Sequence, residues 1–124
     1  MKMYNHEIYN RALALIESFE GNTSQKLPIK LSYAIKKNTA TLKTIAEGIE
    51  KSRMELVEKY AVTDENGQRM IPADKADEAN AEYSDFMNME EEVNVHTIKV
   101  DSLSDSIELT DAQMEAIMWM LEDE

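Results

Sequence analysis

Residues 31–60, LSYAIKKNTATLKTIAEGIEKSRMELVEKY, decide the fold. Leu31, Ile35, Leu42, Ile45, Ile49 and Leu56 recur on alternating steps of three and four, with Asn38 and Ser52 at the two polar interruptions. That repeat is the signature of one long amphipathic helix. Its only glycine, Gly48, costs about 1 kcal/mol relative to alanine without breaking the helix, and it is the natural hinge or close-approach point. A helix of about 30 residues runs about 45 Å, so it must bend, protrude or pack along its length. Asn38 has two readings: a buried polar residue that fixes register in a coiled-coil dimer, or a side chain that reaches solvent or a backbone group.

Upstream, Leu27-Pro28 opens this helix, because proline at the first turn lacks only an N–H that would go unpaired there. The connector 22–26 is polar, and Gly21-Asn22 suits a left-handed C-terminal turn. Before it, Asn5 to Phe19 reads as a helix with Asn5 as N-cap, a stripe of Ile8, Ala12, Leu15 and Phe19, and Leu13 and Ile16 on its flank. Met1 to Tyr4 is a candidate strand, and His6 reads as a surface or capping residue.

Downstream, Asn66-Gly67 marks a tight turn in a short hairpin between Val62 and Ile71. A calcium loop fails there, since aligning Gly67 with that motif's glycine puts Val62 at the first ligand position and Ala73 at the last. Pro72 opens a further helix to about Met89, with Ala76, Ala79, Tyr83 and Phe86-Met87 inward. Glu90-Glu91-Glu92 stops it, because acids oppose the dipole at a helix C-terminus. Val93 to Val100 then reads as a strand with a bulge near His96-Thr97, pairing with Met1–Tyr4, with 68–71 or with another copy. Finally, Thr110 and Gln113 form a capping box with a Leu109–Met114 staple, and Met114, Ile117, Met118 and Leu121 form the expected buried stripe. The expectation is one domain over 1–124: mainly α with a minor β element, a long central helix packed with shorter ones, and one short strand pair or hairpin.

Charge is distributed unevenly. Residues 1–60 carry ten Lys/Arg against seven Asp/Glu, a net of +3, and residues 61–124 carry three against eighteen, a net of −15. Such a second half disfavours direct nucleic-acid binding, which depends on Lys and Arg at phosphates, and it favours a partner protein with a basic surface. Glu90, Glu91, Glu92, Asp101, Asp105 and Glu108, with Trp119 and Met120 as large apolar side chains off the stripe, are the candidate partner-binding residues. Lys30, Lys36, Lys37 and Lys43, which lack near acids, are the candidate anion patch. Cysteine is absent, which excludes disulfides, thiolate metal sites and cysteine catalysis and fits a reducing cytoplasm. No signal peptide or membrane span is expected. There is no glycine-rich phosphate loop, nucleophile elbow or HExxH, so the expectation is a non-enzyme without cofactor or metal. His96 beside three glutamates does not make a metal site, since alternation points two of the three away from it.

The segment LPIKLSYAIKKNTATLKTIAEGIEKSRMELVEKYAVTDENG, followed by an acidic helix, VNVHTIKV and LTDAQMEAIMWMLE, resembles a family of small uncharacterised proteins encoded by phages and prophages of Gram-positive bacteria. Leu27-Pro28, Ser32-Tyr33-Ala34-Ile35, Asn38, Arg53, Tyr60 and Asp64-Glu65-Asn66-Gly67 carry the likeness. It implies a phage origin and no catalytic residues. The expected function is inhibition of a host factor, above all an antiviral defence system such as CRISPR, in the cytoplasm of the infected cell. A virion-assembly accessory is the alternative, and a sponge for a small anionic ligand such as a nucleotide is the third reading. The apolar seam of the long helix also allows a homodimer.

Overall fold

The computed structural model describes residues 1–20, 26–103 and 107–122. It is mainly helical, as expected. The helices are α1 (Asn5–Phe19), α2 (Ile29–Tyr60), α3 (Ala73–Met87) and α4 (Asp111–Ile117), the last continued by a 3-10 turn, Met118–Met120. Six short strands flank them: β1 (Lys2–Tyr4), β2 (Val62–Thr63), β3 (Arg69–Met70), β4 (Glu90–Glu92), β5 (Ile98–Lys99) and β6 (Leu121–Glu122). They form three separate pairs among the described residues, β1–β4 and β2–β3 antiparallel and β5–β6 parallel. The turn at Gly21-Asn22 and the candidate Asp105 lie outside the described residues.

The core is built where the apolar faces of three helices meet. Ile8, Ala12 and Leu15 of α1, Leu31, Ala34, Ile35, Leu42 and Ile49 of α2, and Ala116, Ile117 and Met120 at the C-terminus form one cluster, closed by Met3, Val93 and Ile98. Each large apolar side chain buried there contributes about 1.5–3 kcal/mol relative to exposure. The seam of α2 is thus filled from within the chain up to Ile49. Beyond Ile49 no side chain of α2 is buried, and Ile45 and Leu56 are only half-buried. Leu13, expected on the flank of the α1 stripe, is exposed. Gly48 is neither hinge nor close approach: α2 is continuous through it, and a Cβ placed there meets nothing within 4 Å.

Several local expectations change for identifiable reasons. Asn5 is not the N-cap of α1; Tyr4 is, with its N–H donating to Glu7 Oε1 at 3.0 Å. The Asn5 amide instead crosses to the end of α3, Nδ2 donating to the Phe86 carbonyl at 2.9 Å. α3 ends at Met87, and Tyr83 is exposed rather than inward, whereas Ala79 is buried. Glu90–Glu92 does more than stop that helix. It pairs with β1 in the register Lys2↔Glu92, Met3↔Glu91 and Tyr4↔Glu90, so the partner of Met1–Tyr4 is this acidic run and not Val93–Val100.

Val93–Val100 is not a continuous strand. Only Ile98–Lys99 is paired, and its partner is β6. The break has a cause inside the helix seam. Asn38 is 1% exposed, and its amide holds the His96 peptide at both ends: His96 N–H donates to Oδ1 at 2.7 Å, and Nδ2 donates to the His96 carbonyl at 2.8 Å. A side-chain amide occupies the place of a neighbouring strand's peptide, so the backbone near the expected bulge is satisfied without a ladder. Nδ2 also lies 3.3 Å from Met120 Sδ. Asn38 therefore takes the backbone-binding role and pairs within its own chain.

The C-terminal capping box is present, Thr110 N–H to Gln113 Oε1 at 3.0 Å and Gln113 N–H to Thr110 Oγ1 at 3.1 Å. The buried stripe keeps Ile117, with Leu121 packed against the core, but is otherwise shifted. Gln113, Ala116, Ile117 and Met120 face inward, while Met114 and Met118 are exposed, Met118 by 60%. Gln113 is accommodated because Nε2 donates to the Ser18 carbonyl at 3.0 Å. After Ile117 the 3-10 turn places i and i+3 on one face, which sets Met120 beneath Ile117.

Candidate functional site

The acidic face is built from α3 and β4. Pro72 sets the start of α3 without needing a side-chain cap; Ala79 is buried and Ala76 and Phe86 are half-buried, while Asp74, Asp77, Glu78 and Asp85 are exposed. Glu90, Glu91 and Glu92 are exposed in turn. Three acids of this region are paired: Glu78 with Lys75 at 3.7 Å, Glu82 with Lys59 at 2.9 Å, and Glu92 with the Met1 amino group at 2.9 Å. Asp74, Asp77, Asp85, Glu90 and Glu91 form no ion pair among the described residues. At 1.5 Å per residue, the acids from Asp74 to Asp85 spread over about 17 Å of helix.

Glu82 ties α3 to the far end of α2. Its carboxylate accepts from Tyr60 Oη at 2.6 Å and from Lys59 Nζ at 2.9 Å. The Tyr60 hydroxyl and then the Lys59 ammonium hold the Glu82 carboxyl below its usual range. The same bonds push Tyr60 and Lys59 up. Beyond it, Arg69 bonds Glu58, and Asp64 Oδ1 accepts from the N–H groups of Asn66 and Gln68 at 2.9 and 2.8 Å, shaping the turn where Gly67 takes φ +80°.

A groove of about 530 Å³ lies at the opposite end of α2, lined by Ile29, Lys30, Tyr33, His96, Thr97, Ile98 and Lys99. One wall is the first turn of α2; the other is the extended segment that Asn38 holds. Tyr33 and His96 meet edge to face at 5.2 Å, and Lys37 Nζ lies 5.7 Å from the Tyr33 ring. Ile29 is 85% and Tyr33 54% exposed. Thr97 Oγ1 donates to Glu122 at 2.7 Å. Two smaller grooves share Tyr9 and Glu50; one holds the Arg53–Glu50 fork, whose hydrogen bonds lower the Glu50 pKa and raise that of Arg53.

The structure divides the residues expected from sequence. Glu90, Glu91 and Glu92 stand together on β4; Asp101, on the 3-10 turn Val100–Ser102, and Glu108, before α4, are exposed but belong to other elements. Met120 is 0% exposed and is core, which corrects its place among partner-binding residues. Trp119 is half-buried, its indole N–H donating to the Ala116 carbonyl at 2.7 Å under the Arg11 guanidinium, 5.3 Å from the ring. Of the lysine patch, Lys30 lines the groove at the first turn of α2, Lys37 stands over Tyr33, Lys36 is exposed outside that groove's lining, and Lys43 lines the groove between α1 and α2. The α3 acids Asp74, Asp77 and Asp85 and the groove residue Lys99 were not singled out by sequence reasoning; Tyr33 stood there only among the residues of the family likeness, and His96 only at the expected bulge and as a rejected metal ligand. The polar face opposite Ala76 and Ala79 carried a signal for the acids. Nothing local carried one for the groove, which depends on the Asn38–His96 contact 58 residues apart.

Among the described residues no three His, Asp or Glu side chains gather as a metal would require, and no helix is long and apolar enough to cross a membrane. No protein-family model, curated protein or solved structure matches the chain.

Proposed function

We propose that this protein is a phage-encoded, non-enzymatic binder that inhibits a host factor in the infected bacterial cytoplasm, with a defence system such as CRISPR as the target. The observation that carries the reading is the exposed, largely unpaired run of acids on α3 and β4. Such a face attracts a basic groove of another protein at long range and repels bare nucleic acid. The likeness of residues 27–67 to phage and prophage proteins supports the source. Self-association through the long helix, if it accompanies binding, falls on the portion after Ile49, because the seam before it is filled.

The test is a plaque assay on a host with active CRISPR immunity. Expression of the protein is expected to restore plating of the targeted phage, and D74N/D77N/D85N/E90Q/E91Q is expected to abolish the rescue while remaining folded. The complex recovered from that host is expected to dissociate faster as salt rises. No rescue in any immune host, or equal rescue by the neutralised variant, refutes the reading. A virion-assembly accessory is the second reading, favoured by Met54, Val62 and Met70, all exposed toward the hairpin end; it predicts a phage structural protein as the recovered partner.

A further inference from the structure

We propose that the groove between the first turn of α2 and residues 96–99 binds a mononucleotide, through a phosphate held by lysines and a flat ring laid against Tyr33. This goes beyond the acidic-face reading and uses the opposite sign of charge.

Two lysines line the groove and a third stands beside it. Lys30 and Lys99 line it from facing walls and Lys37 reaches over the Tyr33 ring at its edge. None of the three forms an ion pair among the described residues, although the protein carries a net charge of −12 and acids are plentiful. The carboxylate that bonds the lining, that of Glu122, accepts from Thr97 Oγ1 at 2.7 Å and pairs with none of the three lysines, so an anion in the groove gives them a counter-charge. A phosphate accepts hydrogen bonds from lysine as a point-charge acceptor.

The rest of the lining suits a ring. Tyr33 presents half of its surface, Ile29 is 85% exposed, and the His96 and Tyr33 rings stand at 84° to each other with centroids 5.2 Å apart. A base stacks on such an aromatic face whatever its sequence, with about 1–3 kcal/mol per base. The volume, about 530 Å³, lies inside the range of small-molecule sites, about 300–1,000 Å³. The wall is also held in place beforehand: Asn38 fixes both polar groups of the His96 peptide from the buried side, so little ordering is left for the ligand to impose. Asn38 acts here as a positioning residue.

The same electrostatics limit the ligand to a monomer. The protein carries a net charge of −12, so each phosphate of a polynucleotide beyond the reach of the groove lysines meets a net repulsion.

The experiment titrates the isotopically labelled protein with AMP, GMP, CMP and UMP, and separately with adenosine, inorganic phosphate and a ten-residue oligothymidylate, following the amide signals of Tyr33, His96, Thr97 and Lys99. At least one mononucleotide is expected to shift these signals with a Kd under about 1 mM, about tenfold tighter than adenosine or phosphate alone. K30A/K99A is expected to weaken it by about tenfold or more, and Y33A by about fivefold. These three side chains are exposed, so circular dichroism is expected to stay unchanged. Binding by no mononucleotide at 5 mM, equal affinity in K30A/K99A, or tighter binding of the oligothymidylate than of every mononucleotide overturns the proposal.

Discussion

Replacing Asn38 by alanine strips the His96 peptide of both partners at once. The N–H loses a 2.7 Å bond and the carbonyl a 2.8 Å bond, while the Met120 sulfur loses its 3.3 Å contact. Each bond is worth about 1 kcal/mol net, and a peptide left partly buried without partners adds a desolvation penalty at the low end of about 1–3 kcal/mol. The expected loss is about 3 kcal/mol. With about 2.1 cal/mol/K of unfolding entropy per residue, 124 residues give about 260 cal/mol/K, so the melting temperature should fall by about 12 °C. Urea unfolding gives the free energy, and native-state hydrogen exchange reads the His96 amide directly. Asn38→Asp keeps the acceptor for the N–H but loses the donor, and Asn38→Leu keeps the volume but neither bond. A cost below about 1 kcal/mol for alanine, or an Asn38→Leu protein as stable as the parent, refutes the clasp as the device that holds this segment.

Three further outcomes are expected. Gly48→Ala should stabilise the protein by about 1 kcal/mol in urea unfolding, because the site is exposed within continuous helix and the new methyl meets nothing. Leu42→Ala, at a fully buried seam position, should cost about 3 kcal/mol, and Leu42 and Ile45 made polar together should abolish the cooperative transition rather than release an intact chain. The Glu82 tie gives a pH dependence of defined sign. Its lowered carboxyl contributes stability above the unfolded carboxylate pKa, lost as pH falls through the folded value, and the raised Tyr60 and Lys59 contribute stability lost as pH rises through theirs. Tyr60→Phe should flatten both limbs of a stability–pH profile, and an unchanged profile contradicts the assignment.

What was legible in the sequence was what is encoded locally. α1, α2 and the Thr110 capping box rest on periodicity and on contacts three or four residues apart, which the chain displays in order. The β2–β3 hairpin was marked by Asn66-Gly67, but the β1–β4 and β5–β6 pairs were hidden because two or three residues carry almost no alternation, and Glu90–Glu92 becomes a strand only against Lys2–Tyr4, 86 to 90 positions away by register. The C-terminal stripe was misjudged in part: Ile117 is buried as expected, but Met114 and Met118 are exposed and the inward face takes Gln113 instead, whose polarity is answered by Ser18. Asn38 showed the opposite case, a polar residue in a seam whose partner could not be named until His96 was placed. The acidic character of the second half was plain, but its gathering on α3 and β4 and the separation of Met120 from it required the packing.

The uneven burial of α2 divides the molecule into parts that open at different cost. Up to Ile49 the helix is anchored in the core; from Glu50 to Tyr60, with the β2–β3 hairpin and α3, it is held mainly by half-buried contacts, by Ala79 and by the ties of Glu82 and Glu58. Regions with few buried apolar contacts open locally well below the global unfolding free energy. Limited trypsin treatment should therefore cut first after Arg69 or Lys75 and leave the α1–α4 face intact. The acids of α3 ride on this looser part, so the face offered to a partner can adjust its shape while the core keeps its own.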